Sequence, residues 1–502
     1  GLGEDGDVTP ILPSWTPPGL EALRDASRRW CPTVLEPSGV FLRRALLYDI
    51  PDVNGDGLQD IFIGGTAGHP GQLYIQDREG SFAKKAEADF DKFPDFEDGA
   101  VLFFDADKDG DLDLLVCPGG NDMAPNSREA QLRLFINDGK ANFVLDPDAF
   151  PNTGVNVSVA KSFDFNGDGY EDLFVGGLSV PGNYGITPSS FLLQNDGKGH
   201  FRDIAATEYP EIAKAGMVTN AQWADMNGDG QMDLVISGLW MSPQIFLNQH
   251  NRFVKLATNM DSLFGWWQSS LAMDVNGDGK MDLILGNIGE NFYLKPDKAH
   301  PVKIWINDFD NNGISDKILT RSINGKDMPV FLKHDLEKQV PGLKKQNLKH
   351  GDFARKSIQE LFPAMAIEKC VVKEFDFCSS VVAINEGNGK FSIRKLPVRA
   401  QLTSVHAICP LDVNWDGHED LVIAGNEFGF LPQFGRLDGG FGDILLGDGQ
   451  GHFKAIEQSE TGFHIKGQVR DIAPIDIKRD TNLLFLVNDS VPSLYKIRKR
   501  GN

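Results

Sequence analysis

The chain has 502 residues, of which 41% are hydrophobic and 24% charged, and its formal net charge is −22. This length is enough for several domains or for one repeat protein with a large core. The acidic balance argues against a nucleic-acid-binding protein, because nucleic-acid readers carry basic surfaces. No run approaches the roughly 20 apolar residues of a membrane span, so we expect no transmembrane helix.

Residues 1–40 predict an N-terminal extension, with a proline-rich lead and a short amphipathic helix around Leu20, Leu23 and Trp30. The start without Met suggests a processed or trimmed chain. Residues 41–502 are predicted to form a single repeat domain.

One nine-residue pattern, Asp-x-Asn/Asp-x-Asp/Asn-Gly-x-x-Asp, occurs seven times in the repeat domain. Positions 1, 3, 5 and 9 carry side-chain oxygens, and the glycine at position 6 permits the sharp turn of a calcium loop. Zinc would require His or Cys, and magnesium a mostly hydrated octahedral site. A single copy would also fit an Asx-turn that holds a hairpin without metal. Seven copies favour up to seven Ca2+ sites.

The predicted ligands are positions 1, 3, 5, 7 and 9 of each copy, with position 7 contributing its backbone carbonyl. They are Asp52, Asn54, Asp56, Leu58 and Asp60 in loop 1; Asp105, Asp107, Asp109, Asp111 and Asp113 in loop 2; Asp164, Asn166, Asp168, Tyr170 and Asp172 in loop 3; Asp225, Asn227, Asp229, Gln231 and Asp233 in loop 4; Asp274, Asn276, Asp278, Lys280 and Asp282 in loop 5; Asp308, Asp310, Asn312, Ile314 and Asp316 in loop 6; and Asp412, Asn414, Asp416, His418 and Asp420 in loop 7. Six loops supply three side-chain carboxylates and loop 2 supplies four, so the loops account for much of the negative charge.

Each loop runs into a short apolar segment such as IFIGG, LFVGG or LVIAGN, which predicts a buried strand. An EF-hand would instead have a bidentate Glu at position 12 on a following helix, where loop 1 has Ile63. The pattern therefore predicts calcium loops between two strands.

A second recurring element is a hairpin with a tight Asn-Asp-Gly-type tip, as in LFINDGKANF and FLLQNDGKGHF. Its closing phenylalanine is expected to pack between sheets, at Phe82, Phe143, Phe201, Phe253, Phe391 and Phe453. Four short antiparallel strands repeating about every 50 residues predict an all-β fold, a β-propeller of four-stranded blades.

The blade count depends on loop 6, which starts only 34 residues after loop 5. We interpret loop 6 as an expanded third-to-fourth-strand hairpin of the blade begun at Asp274, so the hairpin at Asn385 needs its own calcium-free blade. This favours eight blades, closed by GVFLRR near Phe41 pairing with the strands at Leu483–Val487 and Leu494–Ile497. Seven blades remain if residues 300–378 form one long insertion.

Residues 331–362 interrupt the repeats and predict a small helical insertion of two helices, FLKHDLEKQVP and GDFARKSIQELF. Its excess of Lys and Arg fits either a solvated helical face or a docking surface. The chain has five cysteines, and a bridge between Cys370 and Cys378 is one open alternative.

The loops followed by IFIGG, LFVGG and LVIAG resemble the FG-GAP/VCBS repeats of integrin-α-type propellers. RRALLYDIPDVNGDGLQDIFIGG, GWWQSSLAMDVNGDGKMDLILGN, PVKIWINDFDNNGISDKILT and GQVRDIAPIDI are similar to the propeller of bacterial surface proteins that carry an ASPIC/UnbV domain, relatives of cartilage acidic protein. The ASPIC/UnbV domain itself is not evident. The resemblance implies an exported, calcium-bound, non-catalytic propeller.

In such a blade the calcium loops and hairpin tips share one face, while the second-to-third-strand loops and the interblade linkers form the opposite face. The candidate partner-binding residues on that opposite face are Tyr184, Trp240, Trp266, Trp267, Phe428 and Arg436. Exposed aromatic side chains suit stacking on sugar rings or anchoring a protein. For Trp266 and Trp267, interblade packing is the alternative.

We therefore expect an extracellular or bacterial cell-surface module that binds a surface or outer-membrane protein, or a glycan. It neither binds nucleic acid nor spans the membrane, although a part outside this sequence could anchor it. Weak calcium loops suit the millimolar free calcium outside the cytosol. The alternative is a calcium-dependent polysaccharide lyase or hydrolase using His69 or Tyr184 as a base with Arg436. The sequence shows no catalytic motif for it, and we predict no catalytic residues.

Overall fold

A computed structural model describes residues 50–124, 126–430, 434–478, 480–488, 490 and 492–497. The chain is all-β and its strands form separate antiparallel sheets, seven of which follow one another along the chain. We number these blades 1 to 7.

The strands of the blades are β1 (Ile61–Ile63), β2 (Gln72–Gln76) and β3 (Phe82–Lys85) in blade 1; β4 (Asp98–Phe104), β5 (Asp113–Pro118), β6 (Arg133–Asn137) and β7 (Phe143–Asp146) in blade 2; β8 (Asn156–Phe163), β9 (Asp172–Ser179), β10 (Phe191–Asn195) and β11 (Phe201–Asp203) in blade 3; β12 (Met217–Ala224), β13 (Asp233–Met241), β14 (Gln244–Asn248) and β15 (Phe253–Leu256) in blade 4, with β16 (Gly265–Trp266) also paired to β13; β17 (Ser269–Met273), β18 (Asp282–Gly286), β23 (Val381–Gly387) and β24 (Lys390–Lys395) in blade 5; β25 (Val405–Pro410), β26 (Leu421–Gly425), β27 (Asp443–Gly447) and β28 (Phe453–Ala455) in blade 6; and β29 (Gln468–Ile477), β30 (Asp480–Asn488) and β31 (Ser493–Lys496) in blade 7.

The predicted strand after each loop is confirmed, and no loop continues into a helix. Loops 2 to 5 and loop 7 each connect the first and second strands of a blade, and loop 1 leads into β1. The second strands are buried almost throughout, as β9 and β13 show, because each is covered on both faces by neighbouring blades.

The blades are held together by one apolar cluster at each interface, and the clusters close in a cycle. Along β13, for example, Leu234 packs toward blade 3 and Val235 toward blade 5. The cycle closes where Ile61 and Tyr74 of blade 1 pack with Leu484 of blade 7. The predicted packing of the hairpin phenylalanines is confirmed, since five of the six are buried in these clusters and Phe453 is partly buried against its own.

An eighth sheet is inserted into blade 5 between β18 and β23. Its order is β21-β20-β19-β22, from β19 (Val302–Asn307), β20 (Asp316–Ile323), β21 (Lys326–Pro329) and β22 (Val371–Phe375). β18 pairs directly with β23, with Leu283 opposite Ala383. The prediction of a separate blade at Asn385 is therefore wrong, since that hairpin supplies the third and fourth strands of the blade begun at Asp274. Within the described residues the sheets follow the seven-blade alternative, and loop 6 lies within the insertion.

The inserted segment also carries five short helices, α3 (Lys333–Gln339), α4 (Leu343–Gln346), α5 (His350–Phe353), α6 (Ile358–Leu361) and α7 (Ala364–Glu368). The first of the two helices predicted over 331–362 is found as α3, whereas the prediction of one continuous second helix is wrong. The second of them is interrupted because Ser357 and Glu360 form a capping box that starts a new helix at Ile358. Cys370 and Cys378 are free thiols, so the bridge between them is not formed.

Elsewhere the described chain contains α1 (Ala205–Glu208), α2 (Pro210–Ala213) and α8 (Gln458–Thr461), with 3-10 turns at Phe90–Lys92, Arg128–Ala130 and Val398–Gln401. None of the helices in the described ranges has the length and apolar character needed to cross a bilayer. The predicted N-terminal extension and the closing strand at GVFLRR lie outside the described residues.

The insertion packs on the blades through an aromatic cluster around Phe375, which is fully buried at the end of β22. Its ring centroid lies 4.6 Å from that of Trp266 and 5.2 Å from that of Trp240. Gly185 packs here with a left-handed φ of 89°, which favours glycine, and its Cα lies so near Ile306 that a Cβ would come within 2.4 Å of Cδ1.

We expect Phe375→Ala to lower the free energy of unfolding by about 3–5 kcal/mol, because it opens a cavity where the insertion contacts the blades. Chemical denaturation followed by tryptophan fluorescence measures this change. Val372→Ala on the same strand is the control, since Val372 is exposed and should change stability by about 0.5 kcal/mol or less. Equal small effects of the two substitutions would contradict a tightly docked insertion.

Candidate functional site

Loop 3 shows the geometry that recurs in the seven loops. The Asp164 carboxylate accepts hydrogen bonds from the backbone N–H groups of Gly167 at 2.7 Å and Gly169 at 2.8 Å. Asn166 Oδ1 accepts one from the N–H of Asp168 at 2.8 Å. In every loop the position-6 N–H donates to the position-1 carboxylate. These bonds hold each loop in a tightly curled conformation.

The aspartate at position 9 is buried in all seven loops and stands at the start of a strand. Asp113 of loop 2 is typical. Its Oδ2 accepts a hydrogen bond from the N–H of Ala106 at 3.0 Å, and its Oδ1 accepts one from the N–H of Asn137 at 2.8 Å. The position-9 carboxylate therefore ties its loop to the third strand of the same blade.

The donor set of the loops fits a hard divalent cation. Ligand oxygens of Asp105, Asp107 and Asp109 lie within 4.8 Å of one another, as do those of Asp308, Asp310 and Asp316. Asp105 Oδ1 and Asp310 Oδ1 are buried without a hydrogen-bond partner. A buried carboxylate oxygen without a partner is unfavourable, and an ion at the centre of the loop would satisfy it. Carboxylates, amides and carbonyls are the ligands that calcium prefers.

The raised pKa values of the position-9 aspartates also favour a bound cation. Burial raises the pKa of Asp60, Asp233, Asp316 and Asp420 to about 6, and that of Asp113 and Asp172 to about 7. The negative charges of neighbouring loop carboxylates raise the pKa further, as Asp56 and Asp52 do for Asp60. A bound dication would remove this repulsion and favour the ionised carboxylates.

At position 4 of each loop, as at position 6, the backbone adopts the left-handed conformation with positive φ. The sequence pattern did not reveal this for position 4. Glycine fills position 4 in four loops, whereas Lys108, Asn311 and Trp415 adopt φ values of 64°, 58° and 58° there. Lys108 Nζ lies 4.6 Å from the centroid of the Tyr170 ring, so loop 2 contacts loop 3 across the blade interface.

Most of the predicted partner-binding residues do not form a surface. Tyr184, Trp240 and Trp266 are buried in the cluster that joins the insertion to the blades. Trp267 is also buried, between blades 4 and 5. The prediction of an exposed aromatic face is wrong for these four, because the insertion packs against Tyr184, Trp240 and Trp266. Neighbouring blades cover Trp267. For Trp267 the interblade-packing alternative is the one observed, whereas Trp266 packs against the insertion.

Phe428 and Arg436 retain exposure. Phe428 is partly buried, Arg436 is exposed, and the Arg436 Cζ lies 5.0 Å from the centroid of the Phe428 ring. Phe430 and Leu437 of the same loop are buried against the insertion.

The predicted lyase base Tyr184 is poorly placed for proton abstraction. Its hydroxyl accepts a hydrogen bond from Trp240 Nε1 at 3.0 Å, and burial raises its pKa well above the usual range. Within the described residues, a buried charged cluster does exist elsewhere, at His406, Glu427 and Arg470. The Arg470 and His406 charges hold the pKa of Glu427 down at about 2, despite its burial.

A groove of about 460 Å3 lies where the second-to-third-strand loop of blade 2 meets the linkers on either side of that blade. By topology these are the loop classes of the face opposite the calcium-type loops. The groove is lined by Phe93, Phe96, Asn126, Ser127, Arg128, Gln131, Leu132, Arg133, Leu145, Asp146, Pro147, Phe150, Pro151 and Asn152. Sequence reasoning missed it, because its residues come from three segments with no shared motif.

Two guanidinium groups and two aromatic rings organise the groove. The Arg133 Cζ lies 4.9 Å from the ring centroids of both Phe93 and Phe96, and the Arg128 Cζ lies 5.2 and 5.4 Å from the same centroids. Arg133 is buried in an ion pair with Asp98, whereas Arg128 is exposed. The exposed Arg128 can therefore present positive charge and hydrogen-bond donors to a ligand.

Three segments of the chain, residues 52–116, 164–236 and 225–285, match the model of FG-GAP-like repeats. No curated protein matches the chain. The resemblance to proteins with an ASPIC/UnbV domain stays a prediction.

Several solved structures are similar to the chain. One is an Agrocybe aegerita lectin with specific recognition of non-reducing terminal N-acetylglucosamine, at 16% identity and a TM-score of 0.44, covering 84% of this chain and 82% of that one. A second is BBS1N in complex with ARL6DN, at 10% identity and a TM-score of 0.41, covering 94% and 98%. A third is the Dos1 propeller, at 11% identity and a TM-score of 0.39, covering 88% and 91%. The matched segments are FG-GAP-like repeats, and the closed cycle of antiparallel sheets described above is a β-propeller.

Proposed function

We propose that this protein is an exported, calcium-stabilised β-propeller that acts as a non-catalytic binding or scaffold module for a cell-surface protein or a glycan. The groove beside Arg128 is the observation that supports the binding role, because it is concave and supported by a rigid blade. Binding sites are commonly placed on variable loops above such a scaffold.

The proposed role of calcium is structural. The seven loops gather carboxylates whose mutual repulsion opposes folding, and a bound ion would convert that repulsion into attraction. Ca2+ would be held by positions 1, 3, 5, 7 and 9 of each loop. Loops of this kind bind best where free calcium is millimolar, which supports an extracellular location.

The proposed ligand surface lies on blade 2, away from the insertion. The insertion packs against blades 3, 4 and 6 at Tyr184, Trp240 and Phe430. Among the described residues, it makes no such cluster with the loop that carries Arg128. A carboxylate-bearing ligand would complement Arg128, while Asn126 and Asn152 offer amide groups at the rim.

The partner class can be determined directly. The calcium-loaded protein would be immobilised and exposed in parallel to an array of neutral and acidic glycans and to detergent extracts of native membranes, with bound proteins identified by mass spectrometry. Saturable binding either to a glycan or to a membrane protein would identify the class of partner. Turnover of an acidic polysaccharide without stable binding would instead support the lyase alternative.

Calcium removal should lower the melting temperature of the protein strongly and reversibly. The physical reason is that each emptied loop leaves three or four carboxylates close together. Differential scanning calorimetry with EGTA, and then with Ca2+ or Mg2+ added back, measures the effect. We expect Ca2+ to restore the melt and Mg2+ to restore it poorly.

Asp168→Ala should lower the calcium-loaded melting temperature, because Asp168 is a predicted ligand in loop 3. The matched control is Asp196→Ala, on the hairpin tip of the same blade. Asp196 also accepts backbone hydrogen bonds, but it belongs to none of the seven calcium-type loops. After EGTA treatment, the difference between the two variants should shrink. A melt that is insensitive to EGTA would rule out the calcium proposal.

Arg128→Glu should weaken capture of the identified ligand by at least about tenfold, because a central charged anchor is reversed. The melting temperature should stay within a few degrees of the parent value, since Arg128 is exposed. Surface plasmon resonance against the ligand measures the first effect and calorimetry the second.

Charge reversal at Lys344 and Lys345 is the matched comparison, because these residues lie on α4 of the insertion. If the groove is the binding site, this pair leaves affinity unchanged. Loss of binding only in the Lys344/Lys345 variant would place the site on the insertion and contradict the groove.

A further inference from the structure

A buried asparagine lies at or near the end of the third strand in four consecutive blades, at Asn137, Asn195, Asn248 and Asn385. The backbone N–H of each donates to Oδ1 of the position-9 aspartate in the loop of its own blade, at 2.8, 2.8, 2.8 and 2.7 Å. These asparagines therefore orient one ligand of their own loop. Sequence reasoning treated them only as part of the hairpin turn.

The side-chain amide of the same asparagine reaches the loop of the preceding blade. Its Nδ2 donates to the backbone carbonyl at position 2 of that loop in all four cases. The acceptors are Val53 O at 2.9 Å, Ala106 O at 2.8 Å, Phe165 O at 3.1 Å and Met226 O at 2.9 Å. Each asparagine thus bonds to two loops that belong to different blades.

Position 2 is itself tied to a ligand of its loop. In loop 2 the N–H of Ala106 donates to Oδ2 of Asp113, and the carbonyl of Ala106 accepts from Asn195. The N–H of Asn195 then donates to Asp172 of loop 3. A continuous path of three hydrogen bonds therefore connects a predicted ligand of loop 2 to a predicted ligand of loop 3.

The path uses substitutes where the sequence changes. In blade 6 the third strand ends in Gly447, whose N–H still donates to Asp420 at 2.9 Å. The link to loop 5 is made instead by the N–H of Gly451, which donates to Val275 O at 3.0 Å. The connection is thus kept at an interface that lacks the asparagine side chain.

We propose that the loops of adjacent blades bind cations cooperatively, with Asn137, Asn195, Asn248 and Asn385 as positioning residues that couple each loop to its neighbour. The proposal rests on the proposed calcium binding. An ion that orders one loop fixes its position-2 carbonyl, which holds the asparagine and so aligns the next position-9 carboxylate. Coupling of this kind is reciprocal between the two sites. Loop 6 lies in the insertion, outside this path, and binds independently.

Loop 3 allows the coupling to be measured at one site, because Tyr170 occupies its position 7. Terbium replaces calcium at oxygen sites and luminesces when a nearby excited aromatic ring transfers energy to it. Because Tyr170 also lies near loop 2, only the part of the signal that is lost both in Tyr170→Phe and in the loop 3 ligand variant Asp168→Ala is assigned to loop 3. Titration of Tb3+ then gives the dissociation constant of loop 3 in the full-length protein.

Four proteins form the test: the parent, a variant with loop 2 disabled by Asp105→Ala and Asp109→Ala, Asn195→Ala, and the combination. In the parent, disabling loop 2 should raise the dissociation constant of loop 3 at least about fivefold. In the Asn195→Ala background the same change should have less than about a twofold effect. Any long-range effect of the removed charges, or of Lys108 near Tyr170, is common to both backgrounds and cancels in the comparison.

Asn156→Ala is the matched control, since Asn156 is equally buried but its amide bonds to the carbonyl of Gly120 on the opposite side of the blade. It should leave the coupling intact. If Asn195→Ala does not fold, Asn195→Asp keeps the size and the backbone N–H while removing the amide donor.

The outcomes separate this proposal from the calcium proposal. Tb3+ and Ca2+ binding in the parent without any effect of loop 2 on loop 3 overturns the cooperativity. Coupling that persists in Asn195→Ala overturns the role of the asparagine. Absence of ion binding in the parent, measured by isothermal titration calorimetry, overturns the calcium proposal itself.

Discussion

In each blade that carries a calcium-type loop, the structure depends on the buried aspartate at the start of the strand that follows the loop. In Asp113 and its equivalents, one carboxylate oxygen accepts a hydrogen bond from the loop and the other accepts one from the third strand. A buried carboxylate is unfavourable unless its oxygens are satisfied. The backbone donors meet part of that requirement, and the proposed cation would balance the remaining negative charge. Sheet pairing and the loop conformation are thus linked through one side chain.

The interblade contacts follow from the same second strand. Because alternate residues of a strand point to opposite faces, Leu234 and Val235 contribute to different interblade clusters. The second strand of each blade therefore contacts both neighbouring blades. Because the interblade clusters form a closed cycle, no second strand in these blades has a face without a neighbouring blade. This arrangement explains why these strands read as continuous apolar runs rather than as alternating patterns.

Much of the fold could be predicted from short sequence patterns. The nine-residue loops, the strands after them and the hairpin phenylalanines are short-range signals, and each was found where the pattern placed it. The insertion could not be predicted in the same way. Whether the strand at Leu283 pairs with Ile304 or with Ala383 is a long-range choice, and the sequence of each candidate strand is equally apolar.

That long-range choice decided the outcome for the candidate site. Trp240 and Trp266 are of the residue type that is common in binding surfaces. They are buried by an inserted sheet that the local sequence pattern did not reveal. The asparagines at or near the ends of the third strands carried a usable signal, since each closes a segment rich in apolar residues, LFIN, LLQN, IFLN and VAIN. Its meaning was hidden because the acceptor carbonyl lies more than 80 residues away in another blade.

The insertion leaves the cycle of blades intact because it begins and ends at adjacent points. β18 and β23 are neighbours in the sheet, and Asn287 Nδ2 donates to Phe377 O at 3.0 Å just beyond their ends. The N–H of Gly289 also donates to Cys378 O at 2.9 Å, which closes the base of the inserted segment. A large element can therefore replace a second-to-third-strand loop without altering the calcium-type loops at the other end of the blade. Structural repetition at one end and free variation at the other follow from this single topological fact, and the groove on blade 2 is a smaller variation of the same kind.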